Sequence, residues 1–164
     1  MKEIEKLTIR DSVKENDVKA INDIVRSTGY FHEDECELAV ELIEERLAKG
    51  LKSGYLFNFL EYDGKTIGFT CFGLIPCSKI SYDLYWIVIH NDHRNHGYGK
   101  YLLKYSEKYI KDQGGIQIYV DTSSKPQYIS TRTFYEKSEY LKIAQFDDFY
   151  DYDDGKVVYC KKLV

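Results

Sequence analysis

Residues 84–105 constrain the fold more than any other stretch of the chain. An apolar run, Leu84-Tyr85-Trp86-Ile87-Val88-Ile89, leads to Arg94-Asn95-His96-Gly97-Tyr98-Gly99 and then directly to Lys100-Tyr101-Leu102-Leu103-Lys104-Tyr105. Strand, glycine-bearing turn and helix, in that order, aim backbone N–H groups and the positive end of a helix dipole at one point. Such a point holds a diphosphate with few side chains. A diphosphate-bearing cofactor is therefore the first reading.

The spacing narrows it. A dinucleotide loop needs Gly-x-Gly-x-x-Gly, and the third glycine position here is Leu102, too bulky for close helix-to-strand packing. A P-loop needs Ser or Thr after Gly-Lys; Tyr101 follows Gly99-Lys100, and the upstream glycine position is Arg94. What remains is Arg-x-x-Gly-x-Gly after a strand, Arg94 to Gly99.

The rest of the chain supplies a frame for that loop. Ile4 to Arg10 reads as a strand. Val18, Ile21, Ile24 and Val25 mark one face of a helix that Thr28-Gly29 stops. Asp34 is placed to cap a second helix, with Glu37 at the capping-box position, Ala39, Val40, Ile43 and Leu47 on its apolar side, and Gly50 as its stop. Tyr55 to Tyr62 and Lys65 to Leu74 are β-rich runs joined by Asp63-Gly64, a two-residue hairpin signal. Strand Tyr82 to His90, helix Gly99 to Asp112, strand Ile116 to Asp121, helix Ile129 to Lys137 and strands Tyr140 to Phe146 and Val157 to Leu163 complete the order.

The loop Arg94–Gly99, the element order and a third segment, Thr131-Arg132-Thr133-Phe134-Tyr135 before Glu139-Tyr140-Leu141, together resemble the GNAT superfamily of acyl-CoA N-acyltransferases over nearly the whole chain. Glu139 stands where such proteins usually carry Gly, and Tyr128 where many carry Asn. Asp83-Leu84-Tyr85-Trp86-Ile87, Thr122-Ser123-Ser124 and Thr131 to Tyr135 are closest to a subgroup with members labelled D-alanine N-acetyltransferase. The resemblance implies an α/β (α+β) fold: a mixed sheet of about seven strands flanked by four helices and splayed between strands 4 and 5, in a single domain over 1–164. It implies acetyl-CoA as cosubstrate and an N-acetyltransferase acting on a primary amine by direct attack on the thioester.

The roles follow from the same resemblance. Arg94, Asn95, His96, Gly97, Tyr98, Gly99 and Lys100 would hold the pyrophosphate, and the backbone of Ile87, Val88 and Ile89 would pair with the pantetheine arm like an added strand. Tyr135 would be the general acid for the departing thiolate. The base stays open: Asp83 and Tyr85 alternate with Ile87 along the strand, Glu33 and Glu37 lie near the expected acceptor wall, and a water chain serves as well. Phe31, Glu33, Tyr85, Phe149 and Tyr150 are the expected acceptor-binding residues, acid and aromatic walls that suit a small cationic amine. Two other readings stand beside this one: a non-catalytic acyl-CoA sensor, and a protein or peptide N-acetyltransferase.

Composition excludes several classes. With 164 residues, 43% of them hydrophobic, the chain can bury a proper core. A net charge of −4 and the lack of a basic stripe argue against nucleic acid. No run reaches the roughly 18 apolar residues of a membrane helix, and Met1-Lys2-Glu3-Ile4-Glu5-Lys6 is not a signal peptide, so a cytoplasmic monomer or homodimer is expected. Cys36, Cys71, Cys77 and Cys160 lack paired spacing and read as scattered buried thiols. His90, His93 and His96 crowd the loop without metal-ligand spacing, and the acidic run Asp147 to Asp154 lacks the Gly and Glu of a calcium loop. No metal is expected. That acidic run reads as a solvated hairpin ending in Asp154-Gly155.

Overall fold

The structure, a computed structural model, describes residues 6–164. Among these it has seven strands and four α-helices: β1 (Leu7–Arg10), α1 (Asp17–Ser27), α2 (Glu33–Lys49), β2 (Leu56–Tyr62), β3 (Lys65–Leu74), β4 (Ser81–Ile89), α3 (Tyr98–Asp112), β5 (Gln117–Ser123), α4 (Ile129–Lys137), β6 (Leu141–Asp151) and β7 (Asp154–Lys162). The strands form one mixed sheet in the order β1-β2-β3-β4-β5-β7-β6. Only three pairs, Ser81↔Gln117, Tyr82↔Ile118 and Asp83↔Tyr119, join β4 to β5 in parallel, although β4 runs on to Ile89 and β5 to Ser123. The expected fold class, with its split at strands 4 and 5, is the one observed. Ile4 and Glu5, at the start of the expected first strand, lie outside the described residues.

The backbone divides into two compact units, Met1–Gly73 with Trp86–Lys108, and Leu74–Tyr85 with Tyr109–Val164. In the first, Ile21, Ile24 and Val25 of α1 and Cys36, Ala39 and Ile43 of α2 pack on Phe57, Phe59, Phe69, Cys71 and Val88. A second cluster joins Leu60, Ile67 and Leu102, with Ile89 and Tyr98 against it. Ile67 and Phe69 are two residues apart yet belong to different clusters. A bulge explains this: Leu60 pairs with Gly68 and Glu61 with Thr66, so Ile67 is the extra residue and the pleat shifts phase. A buried polar bridge also ties α3 to the sheet, since the Ser106 hydroxyl lies 2.7 Å from that of Thr70 and 2.9 Å from Asn58 Oδ1. Arg10 locks β1 to α1 with both guanidinium arms on Asp17, its Nε donating to Glu61 at 2.8 Å.

The hairpin between β2 and β3 turns on Asp63 (φ 51°) and Gly64 (φ 80°), both left-handed as a two-residue turn requires. The cap of α2 differs from expectation. His32, not Asp34, is the N-cap, and Glu35, not Glu37, closes the capping box on the His32 backbone N–H at 3.2 Å. Gly50 (φ 63°) ends the helix as expected.

In the second unit β7 lies between β5 and β6, antiparallel to both. A Cβ on Gly115 would lie 2.4 Å from Ile110 Cγ2 and 2.9 Å from the Tyr82 ring, so only glycine lets α3 end where β5 begins. The acidic run is not the hairpin end that was expected. β6 continues to Asp151, the turn is Tyr152-Asp153, and Asp154 and Gly155 already belong to β7. The ladder breaks between Phe146 and Asp151, where Asp148 sits at φ 51°. Among the described residues no helix is long and apolar enough to cross a membrane.

Candidate active site

The strand–loop–helix segment forms as read. After β4, His90 caps a single 3-10 turn, Asn91–His93, its Nδ1 accepting from the Asp92 N–H at 3.1 Å. Ser27 Oγ at the end of α1 accepts from the Asn91 N–H at 3.0 Å and ties the loop down. Arg94 is extended, then Asn95 (φ 65°) and Gly97 (φ 78°) are left-handed. The two left-handed residues turn the chain sharply into the start of α3. Tyr101 N–H donates to Gly97 O at 3.1 Å and starts α3, which leaves the N–H groups of Gly99 and Lys100 without an intrahelical acceptor. A Cβ on Gly97 would meet nothing within 4 Å. Open space at Gly97 and a helix N-terminus therefore coincide, and the residues fit a diphosphate.

The loop's histidines differ from one another. His96 is exposed and lies over Tyr98 with ring centroids 5.5 Å apart. His93 sits between Tyr62 and His90, at 6.1 and 6.2 Å, and burial with the neighbouring His90 pulls its pKa below the usual imidazole value. Upstream, Val88 is buried in the α1–α2 core while Ile89 joins the Leu102 cluster, as strand alternation demands.

Tyr135, the expected acid, is 5% exposed on α4. The rings of Phe134, Tyr140 and Tyr159 surround it at 5.4, 5.6 and 6.0 Å. Burial raises its pKa above the ordinary phenol range, so it carries its proton at any working pH. Tyr159 donates to Glu136 Oε1 at 2.9 Å, and burial together with that bond pushes its phenol up to about 12. Arg132 anchors the start of α4 by donating to Ser123 O at 2.6 Å and Lys125 O at 3.0 Å.

The candidate bases have unequal surroundings. Asp83 is half-buried; burial and Asp121 raise its pKa, and Lys156 draws it back. Tyr85 is 40% exposed. Glu33 is held in a two-pronged pair with Arg26 at 2.6 and 2.7 Å, which lowers its pKa. Phe31 packs edge-on against Trp86 at 5.0 Å, whereas Phe149 and Tyr150 are exposed and edge-on to each other at 5.0 Å. Asp121 and Lys156 carry no short-range signal in the sequence; the β5 and β7 alternation that aligns them with Asp83 needs the register. Three thiols are at least half-buried, but Cys77 is exposed at φ 70°. Among the described residues no three His, Cys, Asp or Glu side chains gather in a metal-holding group.

The model of the acetyltransferase (GNAT) family matches residues 18–140, and the chain belongs to that family. It is an N-acetyltransferase. An acetyltransferase of the GNAT family from Desulfovibrio desulfuricans superposes with a TM-score of 0.94 at 32% identity, over 96% of this chain and 99% of its own. An aminoglycoside 6'-N-acetyltransferase complexed with coenzyme A shares the fold at a TM-score of 0.75 and 19% identity, with 96% and 97% of the two chains covered. The ribosomal-protein-S18-alanine N-acetyltransferase from Escherichia coli does so at 0.72 and 16%, covering 96% and 94%. No curated protein matches the chain in sequence.

Proposed function

We propose that this N-acetyltransferase moves an acetyl group from acetyl-CoA to the primary amine of a small cationic molecule. The observation that carries the cosubstrate is the loop from Arg94 to Lys100. Its left-handed Asn95 and Gly97 and the start of α3 present N–H groups beside open space, which is what a pyrophosphate requires. Arg94, His96 and Lys100 add positive charge or donors there, and the backbone of Ile87–Ile89 takes the pantetheine amides.

Tyr135 supplies the proton to the leaving thiolate. Burial keeps the phenol neutral and so a hydrogen-bond donor toward the sulfur, and no hydrogen bond from its hydroxyl is found among the described residues. Asp83 accepts the proton of the acceptor ammonium, giving the neutral amine that attacks the thioester carbonyl. Glu33, tied to Arg26, is a poorer base; it and Phe31 in the first unit, and Tyr85, Phe149 and Tyr150 in the second, are the residues read for the acceptor.

The acidic and aromatic character of those residues supports a small cationic acceptor, as does the fold shared with an aminoglycoside 6'-N-acetyltransferase. The test is release of free CoA from acetyl-CoA with kanamycin, spermidine, single amino acids and a peptide with an N-terminal alanine. Turnover of a small amine far above the peptide is expected. The reverse order overturns the acceptor class, and unchanged CoA binding in Gly97→Val overturns the loop assignment.

A further inference from the structure

Beyond the loop and Tyr135, the second unit holds a charged group of three of which the reaction scheme uses only Asp83. Asp83 of β4 pairs with Tyr119 of β5, and Asp121 lies two residues further along β5 on the same face. Lys156 of β7 donates to Asp121 Oδ2 at 3.2 Å, and its ammonium rests over the Phe149 ring at 4.7 Å. Register places Lys156 opposite Ser123 and thus on the face that carries Asp121 and Tyr119. The lysine is therefore fixed from two sides. An untethered surface lysine has neither its position nor its reduced exposure of 24%.

We propose that Asp121 and Lys156 are positioning residues for Asp83: Asp121 and Phe149 hold the Lys156 ammonium where it keeps the Asp83 carboxyl ionised and ready to accept a proton. This rests on the reading of Asp83 as the base. The step balances as one proton passing from R–NH3+ to the Asp83 carboxylate, which leaves R–NH2 and a neutral carboxylic acid. Burial and a neighbouring acid make a carboxyl harder to ionise, and a nearby ammonium offsets both. The electrostatics agree in sign: burial and Asp121 raise the Asp83 pKa, and Lys156 lowers it. On its own strand Tyr85 shares the Asp83 face. From β5 come Tyr119 and Asp121, from β7 Lys156 and Cys160, and the Lys125–Asp154 pair (3.8 Å) stands further along. Of these, Asp121 and Lys156 are the charges that act on Asp83.

The test is a carboxyl-carbon NMR titration of Asp83, assigned by its loss in Asp83→Asn, in the wild type, Lys156→Met, Asp121→Asn and the double variant. The pH profile of kcat/KM is followed in parallel with whichever compound of the acceptor panel turns over. Lys156→Met leaves two acids facing each other, so both the Asp83 midpoint and the acidic limb move up. At a fixed pH on that limb, a midpoint higher by about one pH unit means a roughly tenfold loss of rate. Asp121→Asn removes the repulsion and frees Lys156, so both move down, and the double variant returns toward the wild type. Opposite signs with mutual rescue are not what a general loss of packing produces. Midpoints that move the same way in both single variants, or not at all, overturn the proposal. If the midpoints move in opposite directions while Asp83→Asn keeps full turnover and its acidic limb, the pairing is upheld and the assignment of Asp83 as base falls instead.

Discussion

The loop from His90 to Gly99 and the aromatic cluster around Tyr135 solve opposite problems. In the loop, two left-handed residues and a helix start hold space open, and a side chain added at Gly97 would touch nothing. Around Tyr135 the space is filled, with three aromatic rings within 6.0 Å and 5% of the tyrosine exposed. On the proposed function, one region binds by backbone and emptiness and the other positions a single hydroxyl by packing. Substitutions in the first should therefore change affinity, and substitutions in the second should change rate.

The largest expected effect tests the second half of that contrast. Tyr135→Phe keeps the ring and its three neighbours and removes one hydroxyl. Turnover is expected to fall about 10²-fold, the low end for a positioned acid, while the calorimetric Kd for CoA stays within about twofold. If affinity falls in step with turnover, the tyrosine is a binding element and the contrast collapses.

Gly97→Val comes next. A lost charge-assisted hydrogen bond and a filled approach to the phosphates are expected to weaken CoA about tenfold, roughly 1.4 kcal/mol. A β-branched residue at φ 78° also strains the backbone. Gly29, at φ 65° with equally open space but outside the loop, separates the two effects. Gly29→Val should lose comparable thermal stability and no CoA affinity; equal affinity losses in both variants would mean strain alone is being measured.

Crowded glycines sharpen the contrast further. At Gly155 a Cβ would lie 2.9 Å from Phe146 O and 3.0 Å from Ser124 Oγ, so the β6–β7 pair must give way. Gly155→Ala is expected to cost about 1–3 kcal/mol in urea unfolding and leave CoA affinity unchanged. A stability equal to the wild type would show that the strands adjust there without strain.

What the sequence makes legible follows the same division. Backbone-driven features read well, because a residue type reports a conformation directly: Asp63-Gly64 as a left-handed turn, Gly50 as a helix end, Gly97 and Gly99 at a helix start. Features set by partners do not. Asp34 has the side chain a helix cap prefers, yet His32 holds the position once Glu35 reaches its backbone N–H. The acidic stretch has the composition of a solvated loop, yet pairing of Asp151 with Asp154 extends β6 through it. Among the residues read as acceptor walls, Phe31 spends an edge on Trp86 and Glu33 both oxygens on Arg26, contacts with no short-range signature. The burial of Tyr135 depends on Tyr140 and Tyr159, and only the register of β7 brings the latter near.

The smallest expected effect lies inside the loop, where one side chain behaves as the aromatic cluster does. His93 is partly buried against Tyr62 and close to His90, and its pKa is lowered, first by burial and then by His90. In the unfolded chain the same imidazole takes a proton near its ordinary value of about 6.5. Below that pH the unfolded state binds more protons than the folded one, so stability is fully present above it and declines as pH falls toward the lowered folded value. His93→Gln removes that dependence. Urea midpoints measured between about pH 7.5 and 5 should fall less steeply in the variant than in the wild type, with the two curves parallel above the imidazole range. A wild type that gains stability on acidification relative to the variant would mean His93 is held charged, and the loop would then contribute a cation rather than a packed ring.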